Sequence, residues 1–347
     1  LNKRGRNIFH ISLGRSISTY GDKAIGAMDK ELQQMLDQDV WKQVRYESIP
    51  LAQRQAIIRS SIFCKEKFSP NGEFEKLKMR LVAGGDRQDR SIYTEEKMSS
   101  PTVSLTAVYA MMAIAANEHR HVTTIDVPGA FLNTPIKKDV YMVLSGAIAD
   151  RLVALDSTHS HHRSSTGSIY VKLKKALYGC VESSNLWYEN LKNILTIKLG
   201  FTANVKDTCV FNKETSQGQL SISIYVDDLL VTCRSINEIK KFTTNLQAHF
   251  KDKLTVHAGP VVSYLGQTFD FRVRSNVTIS MQRYIEDLLE FTQTTGVSKV
   301  PAGADLFSPS NDAPTLQGAE KNFYATVVAK LLFLSELGRT YSWQSLI

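Results

Sequence analysis

Asp227 and Asp228 stand side by side in Leu220-Ser-Ile-Ser-Ile-Tyr-Val-Asp-Asp-Leu-Leu-Val-Thr232, and adjacent carboxylates in such a setting ask for a cation. Two like charges repel, and burying both unpaired is costly, so a divalent ion with oxygen ligands is the economical explanation. Leu220, Ile222, Ile224 and Val226 alternate with Ser221, Ser223, Tyr225 and Asp227. That is the period of a strand with one core face and one open face, and Leu229 to Val231 resume as a return strand. The spacing predicts a β-hairpin with both carboxylates at its tip, Asp227 on the open polar face and Asp228 at the turn.

A third carboxylate has the same setting. In Val122-Thr-Thr-Ile-Asp-Val127, Thr124 and Asp126 point away from Thr123, Ile125 and Val127, and Pro128-Gly129 breaks the strand behind them. Two strand-end aspartates with a third beside one of them could hold two divalent ions about 3.5–4 Å apart, the spacing that clamps the attacking and leaving oxygens of a phosphoryl transfer. Residue types alone leave a second reading open. Asp is an ordinary turn residue, so for the pair taken alone a polar hairpin turn, with Asp126 a solvated strand end, is the better reading.

Other elements must carry these residues. Ile25, Met28, Leu32, Met35 and Leu36 recur at helical spacing over residues 22–41. Extended segments at 61–68 and 75–82 are joined by Ser69-Pro-Asn-Gly72, a turn signal, and carry Lys65, Lys67, Lys78 and Arg80. Helices are expected at 103–117, 184–199, 236–250, 281–292 and 323–337, with short strands over 254–273. Residues 301–317 read as a linker. Residues 156–167, with His159, His161 and His162, read as a mobile polar loop to which no chemistry is assigned, since zinc would want cysteine nearby.

With 347 residues and 43% hydrophobic content, the chain can bury a large core and suggests two or three lobes. No stretch is long and apolar enough to span a bilayer; residues 105–116 are interrupted by Thr106. The chain begins with Leu1 and shows no secretory pattern, which reads as part of a longer polypeptide that is not secreted. Cys64, Cys180, Cys209 and Cys233 form no Cys-x-x-Cys pair, which fits a reduced compartment. The net charge of +8 suits a partner with a phosphate backbone. Lys3, Arg4, Arg6 and Arg15, with no acid before Asp22, form a basic arm or linker, and Lys172, Lys174 and Lys175 flank a strand that faces either phosphates or solvent.

Tyr225-Val-Asp-Asp228 resembles the Tyr-X-Asp-Asp box of reverse transcriptases, and Ile125-Asp-Val-Pro-Gly-Ala-Phe-Leu-Asn133 resembles the first catalytic block of the copia-type LTR-retrotransposon branch. Met79-Arg-Leu-Val-Ala-Gly-Gly-Asp-Arg-Gln88 is similar to that family's fingers block, although Met79 replaces a small residue and Gly84-Gly85 stands where a cation is common. Val171-Lys-Leu-Lys-Lys-Ala-Leu-Tyr-Gly-Cys180 with Leu186-Trp-Tyr188, Tyr264-Leu-Gly266 and Val328-Ala-Lys-Leu-Leu-Phe333 follow in family order.

The resemblance implies an α+β right-hand polymerase whose palm is an antiparallel sheet with helices on one face. Its domains would be a basic arm at 1–21, fingers and palm at 22–250 and a thumb-like region at 251–300. A linker and truncated connection at 301–347 would follow, without a ribonuclease H domain. It implies RNA-directed DNA polymerisation, with Asp126, Asp227 and the Val127 carbonyl holding two Mg2+ ions, Mn2+ as substitute, and Asp228 beside them. Phe131, five residues beyond Asp126, would pack on the incoming sugar and exclude a 2′-hydroxyl, its competing role being an ordinary core aromatic. Tyr178, Gly179, Lys78 and Arg80 would meet the nucleotide, and Tyr225, Val226, Tyr264, Leu265 and Gly266 the primer and template. The implied partners are an RNA or DNA template with primer and deoxynucleoside triphosphates. The setting would be a longer Pol polyprotein in the cytoplasm or within virus-like particles, with no membrane. A catalytically inactive or domesticated nucleic-acid-binding relic is the alternative, and RNA-dependent RNA synthesis is disfavoured by Phe131.

Overall fold

The computed structural model describes residues 11–68, 74–88, 90–297, 308 and 314–338. Helix α1 (Asp22–Asp37) leads through strand β1 (Trp41–Val44) into a long hairpin, β2 (Ile58–Phe68) and β3 (Phe74–Ala83). Helix α2 (Leu105–Asn117) precedes β4 (His121–Asp126), and β5 (Tyr141–Leu144) and β6 (Ile169–Leu173) precede helix α3 (Ser183–Asn193). Three antiparallel strands follow, β7 (Val210–Thr215), β8 (Gly218–Tyr225) and β9 (Asp228–Cys233), then α4 (Ile236–Gln247). The chain continues through β10 (Thr255–Ala258), β11 (Val261–Tyr264), β12 (Gln267–Asp270) and β13 (Thr278–Ser280) to α5 (Gln282–Thr292) and α6 (Gly318–Gly338).

The fold is α+β. A first six-stranded sheet joins the short strand Ile11–Ser12, β2, β5, β6 and β1, with β3 paired, among the described residues, only to β2. A second, antiparallel sheet runs β10-β4-β9-β8-β7 and ends on the short strand Thr202–Ala203, and a third joins β11, β12 and β13. Each of the two large sheets has its own core. Around the second, Ile125, Ile222, Ile224, Leu229 and Val231 pack with Met112, Trp187 and Leu195. Around the first, Met28, Leu32 and Met35 of α1 pack on Ile58, Leu81 and Val171. The apolar stripe of α1 is thus spent on the first sheet, as its period requires.

Two local expectations are corrected. The polar face of strand β8 is closed along its middle: Ser221 is 5% exposed and Ser223 is fully buried, and the face opens at Tyr225. Small hydroxyls are tolerated there because they find partners. Arg120 donates to Ser221 Oγ and to the Gln219 carbonyl, both at 3.3 Å, while Ser223 Oγ lies 3.5 Å from the Tyr264 hydroxyl. The histidine segment is also not a loose loop. It forms a 3-10 turn, Ser157–His162, anchored by the fully buried His159, whose Nε2 is 2.7 Å from Gln43 Nε2.

The arm residues Lys3, Arg4 and Arg6, the turn at 69–72, most of the 301–317 linker and the segment 339–347 lie outside the described residues. Among the described residues no helix is long and apolar enough to cross a membrane.

Candidate active site

Tyr225 and Asp228 form the last ladder pair of the β8–β9 hairpin, so Val226 and Asp227 make its turn. The aspartates have therefore exchanged the places expected of them: Asp227 sits in the turn, and Asp228 opens β9 directly opposite Asp126 of β4. Val226 has φ +56°, a left-handed conformation that costs a β-branched residue energy. Neighbours hold it there. The indole Nε1 of Trp187, itself 1% exposed, donates to the Val226 carbonyl at 2.6 Å, and the Val127 amide donates to the Asp227 carbonyl at 3.0 Å.

This turn aims Asp227 into a cavity of about 250 Å³ that Asp126 also lines, together with Glu31, Gln34, Lys78, Arg80, Tyr178 and Thr255. A larger cavity of about 580 Å³ lies around His119, Arg120 and His121 at the other end of β4, but no carboxylate lines it. Chemistry selects the smaller one.

Burial, and then the charge of Asp227, raise the Asp126 pKa above its ordinary value, while Lys78, Arg80 and Lys67 pull it down. Lys78 is lowered by burial and then by Arg80 and Lys67. Asp228 is exposed at the strand end and does not line the cavity, yet partial desolvation, then the charges of Asp227 and Asp126, push its carboxyl up to about 6. A folded-state value above 3.8 means that the bound proton stabilises the fold. That contribution is complete below the ordinary value and is lost as the pH rises through about 6. In a chelator, Asp228→Asn should raise Tm at about pH 7.5 and change it little at about pH 4. Equal shifts at both pH values would show that the carboxylate charge is not the cause.

Among the described residues no group of three His, Cys, Asp or Glu side chains is gathered as a ready-made metal cluster. Asp126 and Asp227 nevertheless fit a divalent cation. They are oxygen donors in one cavity, and the charge of Asp227 discourages ionisation of Asp126, a conflict that a cation would remove.

Tyr178 lines the cavity between two neighbours: the Arg80 guanidinium 4.8 Å from its ring centroid, and the Phe131 ring edge-on at 4.7 Å. Burial pushes its phenol up to about 12. Phe131 is 9% exposed and stands behind Tyr178, outside the cavity lining. Gly179 has a backbone reason for its identity. Its φ is +90°, and a Cβ there would fall 2.1 Å from the Ala83 carbonyl oxygen, while one on Gly85 would fall 1.9 Å from the Gly179 carbonyl oxygen. The Ala83 amide donates to the Tyr178 carbonyl at 2.7 Å, so the end of β3 and the Tyr178-Gly179 segment interlock main chain to main chain. This explains Gly85 where a cation was expected nearby.

The residues expected at primer and template divide. Tyr225, 38% exposed, and Val226 lie at the hairpin tip beside the cavity, whereas Tyr264 is 3% exposed with its hydroxyl turned to Ser223. Leu265 and Gly266 form the β11–β12 turn with φ of +51° and +78°, and Phe333 of α6 covers Gly266. Val127 is fully buried.

Sequence reasoning missed Glu31 and Gln34, which α1 brings to the cavity. The Glu31 carboxylate accepts the Leu81 amide at 2.8 Å, and burial raises its pKa. Gln34 Nε2 donates to Asp252 Oδ2 at 2.9 Å. The available signal was slight: two polar residues interleaved with the stripe Met28, Leu32 and Met35.

The profile of a family described as reverse transcriptase (RNA-dependent DNA polymerase) matches residues 39–302. The chain is 27% identical over 268 residues to a retrovirus-related Pol polyprotein from transposon RE1 of Arabidopsis thaliana, covering 77% of the chain and 17% of that protein. It is 27% identical over 236 residues to a truncated transposon Ty1-A Gag-Pol polyprotein of Saccharomyces cerevisiae, covering 67% of the chain and 17% of that protein. A foamy viral protease-reverse transcriptase solved in complex with double-stranded DNA matches at a TM-score of 0.39 and 14% identity, over 77% of this chain and 37% of that one. The chain thus spans about a sixth of the curated polyproteins it matches, 17% in both cases. With the profile covering most of its length and both polyproteins aligning over two thirds of it or more, the chain belongs to the reverse transcriptase family, in its copia-type retrotransposon branch.

Proposed function

We propose that this chain performs RNA-directed DNA synthesis, transferring nucleotidyl groups from deoxynucleoside triphosphates to a primer 3′-hydroxyl. The observation that carries the reading is the convergence of Asp126 and Asp227 in one cavity with Lys78 and Arg80. Asp126 and Asp227, with the Val127 carbonyl, would hold Mg2+ or Mn2+. Such ions lower the pKa of the attacking hydroxyl and neutralise the departing pyrophosphate. Lys78 and Arg80 face the cavity from β3 and offset the triphosphate charge. Tyr178, braced by Phe131 and Arg80, gives the nucleotide a rigid flank, and Asp228 tunes the site from its edge. Tyr225 and Val226 at the hairpin tip, and the Leu265-Gly266 turn, lie along the primer and template. We assign fingers and palm to residues 22–250 and a thumb-like region to 251–300, within a longer Pol polyprotein.

Primer extension on an RNA template, with deoxy- and ribonucleotides side by side, tests the reading. Deoxynucleotide addition that needs a divalent cation is expected. A folded chain that binds the primer–template but adds nothing would favour the non-catalytic binding reading.

Sugar choice gives a sharper prediction. Phe131→Ala withdraws the edge support from Tyr178 and should lower the deoxy-to-ribo ratio of kcat/KM by about tenfold or more, because discrimination by a clash depends on bulk held in place. An unchanged ratio in a stable variant would leave Phe131 with a packing role alone.

A further inference from the structure

Strand β3 carries Lys78 and Arg80 to the cavity, and it is an edge strand. Among the described residues its only ladder partner is β2. An unsupported edge can shift or peel, since its outward amides would be left to water. Here two alternate outward amides are occupied. Ala83 N–H goes to the Tyr178 carbonyl at 2.7 Å, and Leu81 N–H goes to the Glu31 carboxylate at 2.8 Å. The first clip is main chain to main chain; the second depends on one side chain.

That side chain has a fixed base. Helix α1 is seated through fully or nearly fully buried Met28, Leu32 and Met35. It is tied to residue 151 by Arg151, which donates to both carboxylate oxygens of Asp29 at 2.8 and 2.6 Å, and to residue 252 by Gln34. Glu31 therefore links a seated helix to the edge strand that presents Lys78 and Arg80 to the cavity. Lys78 and Arg80 share one face of β3, opposite the buried Leu77, Met79 and Leu81. Any slip of the strand at Leu81 moves both.

We infer that Glu31 is a positioning residue for nucleotide binding, its carboxylate oxygen clipping the Leu81 amide so that β3 holds Lys78 and Arg80 over the cavity. The inference rests on the polymerase reading, because the ligand held by those cations is the incoming nucleoside triphosphate. The essential property of residue 31 is an acceptor oxygen at the right reach, not its charge.

The test uses the full chain with Glu31→Ala, Glu31→Gln and Glu31→Asp, reading dNTP KM and kcat in primer extension and primer–template Kd by fluorescence anisotropy. Removing a charge-assisted hydrogen bond should raise KM about tenfold in Glu31→Ala, with little change in primer–template Kd. Glu31→Gln, whose amide oxygen still reaches Leu81, should recover most of that loss, whereas Glu31→Asp, one methylene short, should resemble Ala. The reverse order, with Asp near wild type and Gln impaired, would show that charge matters rather than reach and would overturn the proposal. So would a KM unchanged in all three. Hydrogen exchange at the Leu81 amide supplies a readout independent of catalysis, and should quicken about tenfold or more in Asp and Ala but not in Gln. If the wild type adds no nucleotide, the polymerase reading falls while exchange still decides whether the clip exists; equal exchange in all variants overturns the clip while leaving polymerisation standing.

Discussion

Replacing Asp227 or Asp126 by Asn should yield a chain that binds an RNA–DNA hybrid and adds essentially no nucleotide. The amide keeps the shape of the carboxylate and removes the charge that a divalent cation requires. Loss of one well-placed electrostatic element in a reacting site lowers kcat by about 10²–10³, and removal of a metal ligand should cost at least that. The fold has no reason to suffer. Asp227 is held through its backbone carbonyl by the Val127 amide, and losing either charge relieves the repulsion that raises the Asp126 pKa. A carboxylate offers a phosphate backbone no attraction, so hybrid binding should fall little when it is neutralised. Single-turnover extension and anisotropy on the same preparations make the comparison. Incorporation by Asp227→Asn within about tenfold of wild type, with magnesium present, would remove the carboxylates from the mechanism.

Gly179→Ala should cost the fold several kcal/mol for a single methyl group. Two penalties add: an L-residue held at φ +90°, and a Cβ placed 2.1 Å from the Ala83 carbonyl oxygen and 2.7 Å from a Val82 methyl. Backbone strain costs about 1–3 kcal/mol and overpacking about as much again, so a loss on the order of 3–5 kcal/mol is expected. The natural control is Gly146→Ala, where φ is +57° but nothing lies within 4 Å of the new Cβ. Chemical denaturation of the two variants should show Gly146→Ala losing only the strain component. If both lose the same amount, the main-chain interlock between β3 and the Tyr178-Gly179 segment contributes nothing of its own.

How much of this could be read from residues alone depends on the range of the interaction. The hairpin was legible because period two and a local turn define it, and the Asp126 strand for the same reason. The exchange of places between Asp227 and Asp228 was not, because the turn begins one residue earlier than alternation implies and relies on a left-handed Val226 that no propensity favours. Ser221 and Ser223 looked solvent-facing because alternation separates apolar from polar, not buried from exposed; their partners Arg120 and Tyr264 come from elsewhere in the chain. Glu31 and the Gly85–Gly179 approach escaped for a related reason: both join segments far apart in sequence, and only the folded backbone gives them a neighbour. His159 lies beyond the reach of composition, since a polar segment looks loose although one imidazole plugs it into the first sheet's edge through Gln43.

The left-handed Val226 sets two demands on one position against each other. A glycine there would relax the backbone and be welcome to the fold, yet the same freedom would let the neighbouring carboxylate wander out of line with Asp126. Valine keeps the turn under tension, and the Trp187 indole on its carbonyl acts as the catch that stops the tension from discharging. Substitutions at this position therefore trade durability of the folded chain against fidelity of aim, and a change at residue 187 shifts the terms of that trade from beneath the hairpin without touching an aspartate.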